Sequence, residues 1–199
     1  MTQPIAVRHR TLRFEGGAAH TTILHAINGD PRVRTDVATG MSGLGPHTEV
    51  AVVHRPRFAD RMLRPPPPRT IWLPASSVWS IEVNGPAANL GIYLEAVALQ
   101  AVQINGGVSR LALRLSAPRE RVPIAVAGAV RALTLDRPAS APVTVAVRGS
   151  VRNLEVDHRA IHNAAGPVVL GEPLGGSTPG YDLRIVGPVA GLRVSTRSV

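Results

Sequence analysis

Two aspartates and one arginine are the residues of this sequence whose types and spacing best suit chemistry. Asp136 and Asp157 lie 21 residues apart, and Arg114 precedes Asp136 by 22 residues. Two carboxylates beside a guanidinium can hold a cation or carry out acid–base chemistry. Asp is also a common residue at strand ends, where an Arg can neutralise it without any further role. If this group is a site, it predicts an enzyme or ligand-binding domain for a saccharide-like or other small substrate.

A second candidate is a pair of histidines. His158 and His162 have the i, i+4 spacing that suits zinc, provided that residues 157–162 form a helical turn. A third ligand is not obvious, although Asp157 or Glu172 could serve. Solvated or hydrogen-bonded histidines are the alternative. We therefore predict neither a bound metal nor a cofactor.

The glycine pair Gly106-Gly107 raises the question of a phosphate-binding loop. A dinucleotide fingerprint needs G-x-G-x-x-G between a strand and a helix N-terminus. Here the glycines lie in 102-VQINGGVSRLALRL-115, between two segments with strand patterning. No G-x-S-x-G elbow, Walker loop or H-E-x-x-H motif occurs. The pair is interpreted as a corner of the chain, and no catalytic residue is predicted.

The same stretch recurs along the chain. The pattern is apolar-x-apolar-x-Gly, four free residues, then Leu-x-apolar. It places a glycine and, five residues later, a leucine at Gly85 and Leu90, Gly106 and Leu111, Gly128 and Leu133, Gly149 and Leu154, and Gly187 and Leu192. Successive glycines are 21, 22, 21 and 38 residues apart. A fixed period of this size indicates a solenoid, in which each unit buries its apolar face against its neighbours. Stacking of successive units would make Asp136 and Asp157 neighbours, with Arg114 one coil below.

The period-two alternation within each unit predicts strands. Glycine suits the corner between two strands, and proline-containing segments suit the connections. We predict an all-β fold, a right-handed parallel β-helix or β-solenoid with coils of about 21 residues. Residues 1–199 form a single domain in this prediction, with irregular N-terminal coils and a Pro-rich loop over 1–70 and regular repeats over 71–199.

The segments of the chain that repeat less regularly give further structural predictions. Residues 12–24 fit the repeat with Thr21 in place of the leucine, and a strand is expected at 48–54. Asn28-Gly29 predicts a tight turn, and 64-RPPPPR-69 predicts a spacer or an exposed recognition element. The Gly- and Pro-rich segment 158–181 is expected to be a long loop.

Composition limits the partners. The chain has 199 residues, no cysteine and a formal charge of +9, and all 22 of its basic residues are Arg. These arginines are spread from Arg8 to Arg197, so nucleic-acid binding is not the preferred interpretation. There is no secretory signal and no apolar run long enough to cross a bilayer, and the expected compartment is the cytoplasm.

The repeats resemble a known family. The segments "VQINGGVSRLALRL", "VTVAVRGSVRNLEVD" and "YDLRIVGPVAGLRVSTR", with "ILHAINGDPRVRTD" upstream, are similar to the "putative-adhesin" family of bacterial β-solenoid domains and, more distantly, to bactofilins. The resemblance covers about residues 10–199. It implies a mainly non-catalytic β-helical module and carries over no catalytic residue. Gly85-Pro86 and Gly187-Pro188 stand where the family usually has Gly-Gly.

The predicted function is a non-enzymatic scaffold or interaction module that binds partner proteins or copies of itself. Small, uncharged residues occupy outward strand positions, at Ala112, Ala125, Ala127, Ala132 and Ala146. Flat faces of low charge and open end coils suit protein association. Loops from the N-terminal third could equally cover these faces. The β-helical enzyme or ligand-binding domain, with Asp136, Asp157 and Arg114, is the alternative.

Overall fold

The protein is all-β, as the sequence predicts. The computed structural model describes residues 8–26, 33–35, 41–42, 49–54, 67–175 and 178–197. Within these ranges 18 strands form two nine-stranded sheets. The described residues contain no helix of the length and apolarity needed to cross a membrane.

Over most of the chain, consecutive strands alternate between the two sheets. Sheet A contains β1 (Arg8–Glu15), β4 (Met41–Ser42), β5 (Val50–His54), β7 (Ser77–Asn84), β9 (Ala98–Ile104), β11 (Arg121–Ala127), β13 (Val143–Arg148), β16 (Val168–Gly171) and β17 (Gly180–Val186). Sheet B contains β2 (Ala18–His25), β3 (Arg34–Thr35), β6 (Arg69–Leu73), β8 (Ala87–Leu94), β10 (Leu111–Leu115), β12 (Leu133–Pro138), β14 (Val151–Val156), β15 (Arg159–Ala164) and β18 (Leu192–Arg197).

Consecutive strands from β5 to β14 alternate between the two sheets, as do β1 and β2, and β17 and β18. Most strands therefore belong to a strand pair, meaning one strand of sheet A and the next strand of the chain in sheet B. In both sheets the pairs lie in the same spatial order: β5/β6, β1/β2, β7/β8, β9/β10, β11/β12, β17/β18 and β13/β14. Neighbouring pairs are parallel. The outermost strands on each side, β3 and β4 at one edge and β15 and β16 at the other, are antiparallel to their neighbours.

The spatial order differs from the chain order near both ends. The pair β17/β18 lies between β11/β12 and β13/β14, and β1/β2 lies between β5/β6 and β7/β8. The 38-residue interval before Gly187 is the consequence: the chain first forms β15 and β16 at the sheet edges and then returns to an interior position.

The expectation of a long loop over 158–181 is therefore wrong for much of that segment. Residues 159–164 and 168–171 are edge strands that cover the parallel sheets. An edge strand with little burial needs no alternation of apolar and polar residues. For β15, whose side chains are half-buried or exposed, the hydrophobic pattern consequently gave no strand signal.

The buried side chains of both sheets form one hydrophobic cluster. Alternation is as predicted: Val102, Ile104, Leu111, Leu113 and Leu115 are all buried. The repeat leucines align across sheet B in the order Leu90, Leu111, Leu133, Leu192 and Leu154. Thr21 pairs with Leu90 and takes the leucine position of its unit, as predicted.

The repeat glycines lie at the bend within each strand pair, and close packing requires them there. A Cβ on Gly106 would lie 2.5 Å from the backbone of Gly85, and one on Gly128 would lie 2.6 Å from the backbone of Gly106. Gly187 and Gly149 continue the column in the same way. Any larger side chain at these positions would push neighbouring bends apart. The distance between neighbouring bends is therefore set by contact between their backbones.

The N-terminal expectations are partly testable. The strand expected at 48–54 is confirmed as β5. The Asn28-Gly29 turn and residues 64–66 of the proline run lie outside the described residues.

Candidate functional site

The bends of neighbouring strand pairs line up to form an open groove, here called the bend groove. It has a volume of about 1040 Å³ and crosses the bends of β7/β8, β9/β10, β11/β12, β17/β18 and β13/β14 to reach β15. Its floor is a column of buried apolar residues, Ala87, Val108, Val130, Val189 and Val151, joined by parallel backbone bridges. Six rows spaced about 4.8 Å apart make the groove roughly 24 Å long.

The walls of the bend groove are made of small side chains. Pro86, Gly107, Ala129, Pro188 and Ser150 precede the floor residues. Ala88, Ser109 and Ala190 follow three of them, and Ala164 and Ala165 lie at the β15 end. The glycine column lets the backbones of neighbouring bends lie in contact. The residues beside the glycines have small side chains, so the bends leave a trough on the surface. The arrangement allows another molecule to approach the backbone closely.

Positive charge lies at one side of the bend groove. Arg131 and Arg152 both line it and are both exposed. The other polar side chains that line it are Ser109, Ser150 and Asn163. Among the residues that the structure describes, no carboxylate lines the bend groove, so the charge of its described lining is positive and favours an acidic partner.

A second, smaller cavity lies where β12, β13, β14 and the end of β16 meet, and is called the polar pocket. It has a volume of about 300 Å³ and is lined by charged or polar side chains of Arg137, Ser140, Asp157, His158, Arg159 and Glu172, among others. Arg137 is buried, and its Nη2 donates to Oδ2 of Asp157 at 2.6 Å. Its Nη1 donates to the carbonyl of Ala141 at 2.5 Å.

The ion pair between Arg137 and Asp157 in the polar pocket is incompletely satisfied. Nε of Arg137 and Oδ1 of Asp157 are both buried and lack a hydrogen-bond partner. Unpaired buried polar atoms of this kind are uncommon and cost free energy. Asp157 also has a φ of +53°, a conformation that Asp tolerates better than most residues, at the turn between β14 and β15. Asp157 therefore combines an unpaired buried oxygen atom with a backbone conformation that is uncommon outside glycine.

The expected adjacency of Asp136 and Asp157 is wrong, because β18 lies between their strands. Asp136 pairs with Ser195, and the backbone N–H of Asp157 donates to the carbonyl of Val194. Arg114 does lie beside Asp136, with 3.3 Å between Nε and Oδ2. The structure thus separates the predicted triplet: Arg114 pairs with Asp136, and Asp157 pairs with the buried Arg137.

The helical zinc hypothesis is also wrong. Residues 157 and 158 form the turn before β15, and His162 lies within that strand. Residues four apart in a strand are about 13 Å apart, too far to share one zinc ion. No cluster of three or more His, Asp or Glu side chains suited to a metal occurs in the described ranges. His158 instead lines the polar pocket, as does Glu172.

Sequence reasoning missed a buried carboxylate at Asp182, on β17. It accepts hydrogen bonds from Arg121 at 2.5 Å and from Arg184 at 2.7 Å. Burial alone would raise the pKa of Asp182, but the hydrogen bonds and charges of Arg184 and Arg121 outweigh it and lower the pKa. The neighbouring Tyr181 is buried and donates to the carbonyl of Ser116, and burial raises its pKa. The alternation of Tyr181, Asp182 and Leu183 predicts an outward position for Asp182, so the sequence carried no signal of its burial.

Comparisons with known proteins support the fold. No family model matches this sequence, and no curated protein matches it. Among solved structures, the chain is similar to a protein from Clostridium sporogenes ATCC 15579 described as a "putative cell adhesion protein", with a TM-score of 0.59 at 12% identity. The similarity covers 96% of this chain and 94% of the other. At this level of identity the likeness concerns the fold.

Proposed function

We propose that this protein is a non-enzymatic interaction module that binds a segment of a partner protein in the bend groove. The observation that carries the proposal is the groove itself, about 1040 Å³ in volume, with an apolar floor and small-residue walls. An association role also agrees with the description of the similar Clostridium sporogenes protein as a "putative cell adhesion protein".

The scaffold in this proposal is one right-handed β-solenoid domain spanning residues 1–199. Support comes from the alternation of strands β5 to β14 between the two sheets, from the single hydrophobic cluster and from the general handedness of parallel crossovers. Cooperative unfolding in one calorimetric transition tests the single domain. Two separate transitions would contradict it.

The chemistry of the bend groove specifies the partner. The backbone groups of the groove floor already form hydrogen bonds with the neighbouring rows. The N–H of Val108 donates to the carbonyl of Ala129, and the N–H of Val130 donates to the carbonyl of Pro188. Side chains must therefore provide recognition. We expect an extended segment of about seven residues, since a strand rises about 3.3 Å per residue over a groove of roughly 24 Å. Small apolar residues would face the floor, and Asp or Glu would face Arg131 and Arg152.

Selection from a random peptide library displayed on phage tests this function. The peptides enriched on the wild-type protein are expected to combine small apolar residues with Asp or Glu. Ala190→Trp fills the bend groove at an exposed position and should abolish the enrichment. Ala160→Trp is the matched control, because Ala160 is exposed on β15 outside the groove and should leave the enrichment unchanged.

Two results would contradict the proposal: no enrichment on the wild-type protein, or the same peptides enriched on Ala190→Trp. Salt provides a second test. Replacing Arg131 and Arg152 with Ala should weaken binding of the selected peptides and flatten its dependence on salt concentration. Binding that is unchanged in both respects would show that the two arginines do not contact the peptide.

Self-association is a second candidate function, favoured by one observation at the outer edge of sheet A. The edge strand β16 carries Val169, whose residue exposure is 70%. Edge strands with exposed apolar residues tend to pair with other chains. If β16 mediates self-association, Val169→Lys should convert an oligomer into a monomer in light scattering. A wild-type protein that is monomeric at high concentration would exclude this second function.

A further inference from the structure

We infer that the polar pocket is a binding site for a small, uncharged, polyhydroxylated molecule about the size of one sugar ring. The pocket is separate from the bend groove, with no lining residue in common. This inference therefore stands independently of the proposed partner binding.

The size of the polar pocket suits a small ligand. Its volume of about 300 Å³ is at the lower end of the range of small-molecule sites. That volume corresponds to roughly ten water molecules, each occupying about 30 Å³ in the liquid. A single sugar ring or a cyclic polyol fits this space, whereas a dinucleotide or a peptide does not.

The donors and acceptors of the polar pocket suit hydroxyl groups. Asp157 and Glu172 supply acceptors, Arg159 supplies donors, and the Ser140 hydroxyl supplies both. A hydroxyl group can accept from a guanidinium and donate to a carboxylate at the same time. Arg137, which also lines the pocket, is 5% exposed. The Nε atom of Arg137 and the Oδ1 atom of Asp157 both lack a hydrogen-bond partner.

The charge of the polar pocket favours a neutral ligand. Its lining contains two arginines, Arg137 and Arg159, and two carboxylates, Asp157 and Glu172. These four formal charges cancel. An anion would meet two carboxylates and a cation two guanidinium groups, so neither charge gains a net attraction. Hydrogen bonding is then the main source of affinity.

The test is an NMR titration of the full ¹⁵N-labelled chain with D-glucose and, separately, with myo-inositol. D-Glucuronate and D-glucosamine serve as charged probes of the same size. We expect saturable shifts of amides that line the pocket for a neutral probe, with a weaker effect of both charged probes. Asp157→Asn and Glu172→Gln should each weaken that binding about tenfold, as expected for the loss of a hydrogen bond to a charged group.

Asp136→Asn is the matched control. Its carboxylate has the same side-chain exposure as that of Asp157, 29%, and also pairs with an Arg, but it lies outside the polar pocket. This variant should bind the neutral probe as the wild type does. The inference is overturned if neither neutral probe gives saturable pocket shifts, if only a charged probe binds, or if Glu172→Gln, with its amide spectrum otherwise preserved, binds with unchanged affinity.

Discussion

Leu192 of β18 pairs with Leu133 of β12 on one side and with Leu154 of β14 on the other. The last repeat of the chain thus lies between two repeats that are adjacent in sequence. It shields the leucine columns of both neighbours from solvent and leaves β13/β14 to carry the edge strands β15 and β16. The unit at this end of the sheets, β13/β14, is the one that the antiparallel strands β15 and β16 cover.

Engineered disulfides test this insertion directly, since the chain has no cysteine of its own. Thr134 pairs with Arg193, so Thr134→Cys with Arg193→Cys should oxidise readily, because neighbouring strands about 4.8 Å apart suit disulfide geometry. Glu155 also pairs with Arg193 from the other side. Thr134→Cys with Glu155→Cys, two strands apart at about 9.6 Å, should therefore not crosslink. Non-reducing mass spectrometry distinguishes the two, and the reverse pattern would show that the repeats stack in chain order.

Gly106 and Gly107, the glycine pair of the 102–115 segment, differ in what they tolerate. A Cβ on Gly106 would lie 2.5 Å from backbone atoms of Gly85, whereas one on Gly107 would lie 3.4 Å from the carbonyl oxygen of Ala129. We expect Gly106→Ala to lower the free energy of unfolding by about 1–3 kcal/mol, the usual cost of overpacking. Gly107→Ala should change it by less than about 1 kcal/mol. Urea denaturation of both variants checks this, and equal losses would contradict the backbone contact at Gly106.

Asp182 should make stability depend on pH in the acid range. Its folded pKa is lowered, so its stabilising effect is complete above its unfolded pKa, about 3.9, and is lost as pH falls through the lower folded value. Asp182→Asn should lower the free energy of unfolding at pH 7 by about 1–3 kcal/mol, because a buried charge-assisted hydrogen-bond pair is lost. The difference from wild type should shrink below about pH 4.

Urea denaturation at pH 7, 5 and 3 measures this dependence. The control is Asp136→Asn, whose partner Arg114 is half exposed, and for which we expect a change below about 1 kcal/mol at pH 7. A difference between Asp182→Asn and wild type that stays constant from pH 7 to pH 3 would show that the carboxylate does not titrate with folding.

Much of the fold could be predicted because its cause is local and repeated. Alternating residues such as Val102 and Ile104 indicated strands, and the recurring glycine and leucine gave the register across sheet B. A bend at Gly106 was predicted because the segments on both sides of it have strand patterning and no helix signal follows it. These features depend on residues close in sequence, so one chain was enough to find them.

The remaining features depend on the spatial order of the repeats, which no single unit encodes. Each unit presents a similar apolar face, so the pattern could not show that Ser195 lies beside Asp136 in place of Asp157. That error also concealed the pairing of Asp157 with Arg137, the residue following Asp136. The bend groove was missed for a related reason, because Val189 becomes a neighbour of Val130 and Val151 only once the order is known.

The central claim, that a partner segment occupies the bend groove, is tested most directly by thiol protection. Ala190→Cys places a single cysteine in the groove, and Ala160→Cys places one outside it, both at exposed positions of a cysteine-free chain. Each variant is saturated with the peptide most enriched in the phage selection, and its rate of modification by a maleimide is measured. The proposal predicts a rate at least about tenfold lower for Ala190→Cys, corresponding to occupancy of 90% or more, and no change for Ala160→Cys. An unchanged rate for Ala190→Cys under saturating peptide would contradict it.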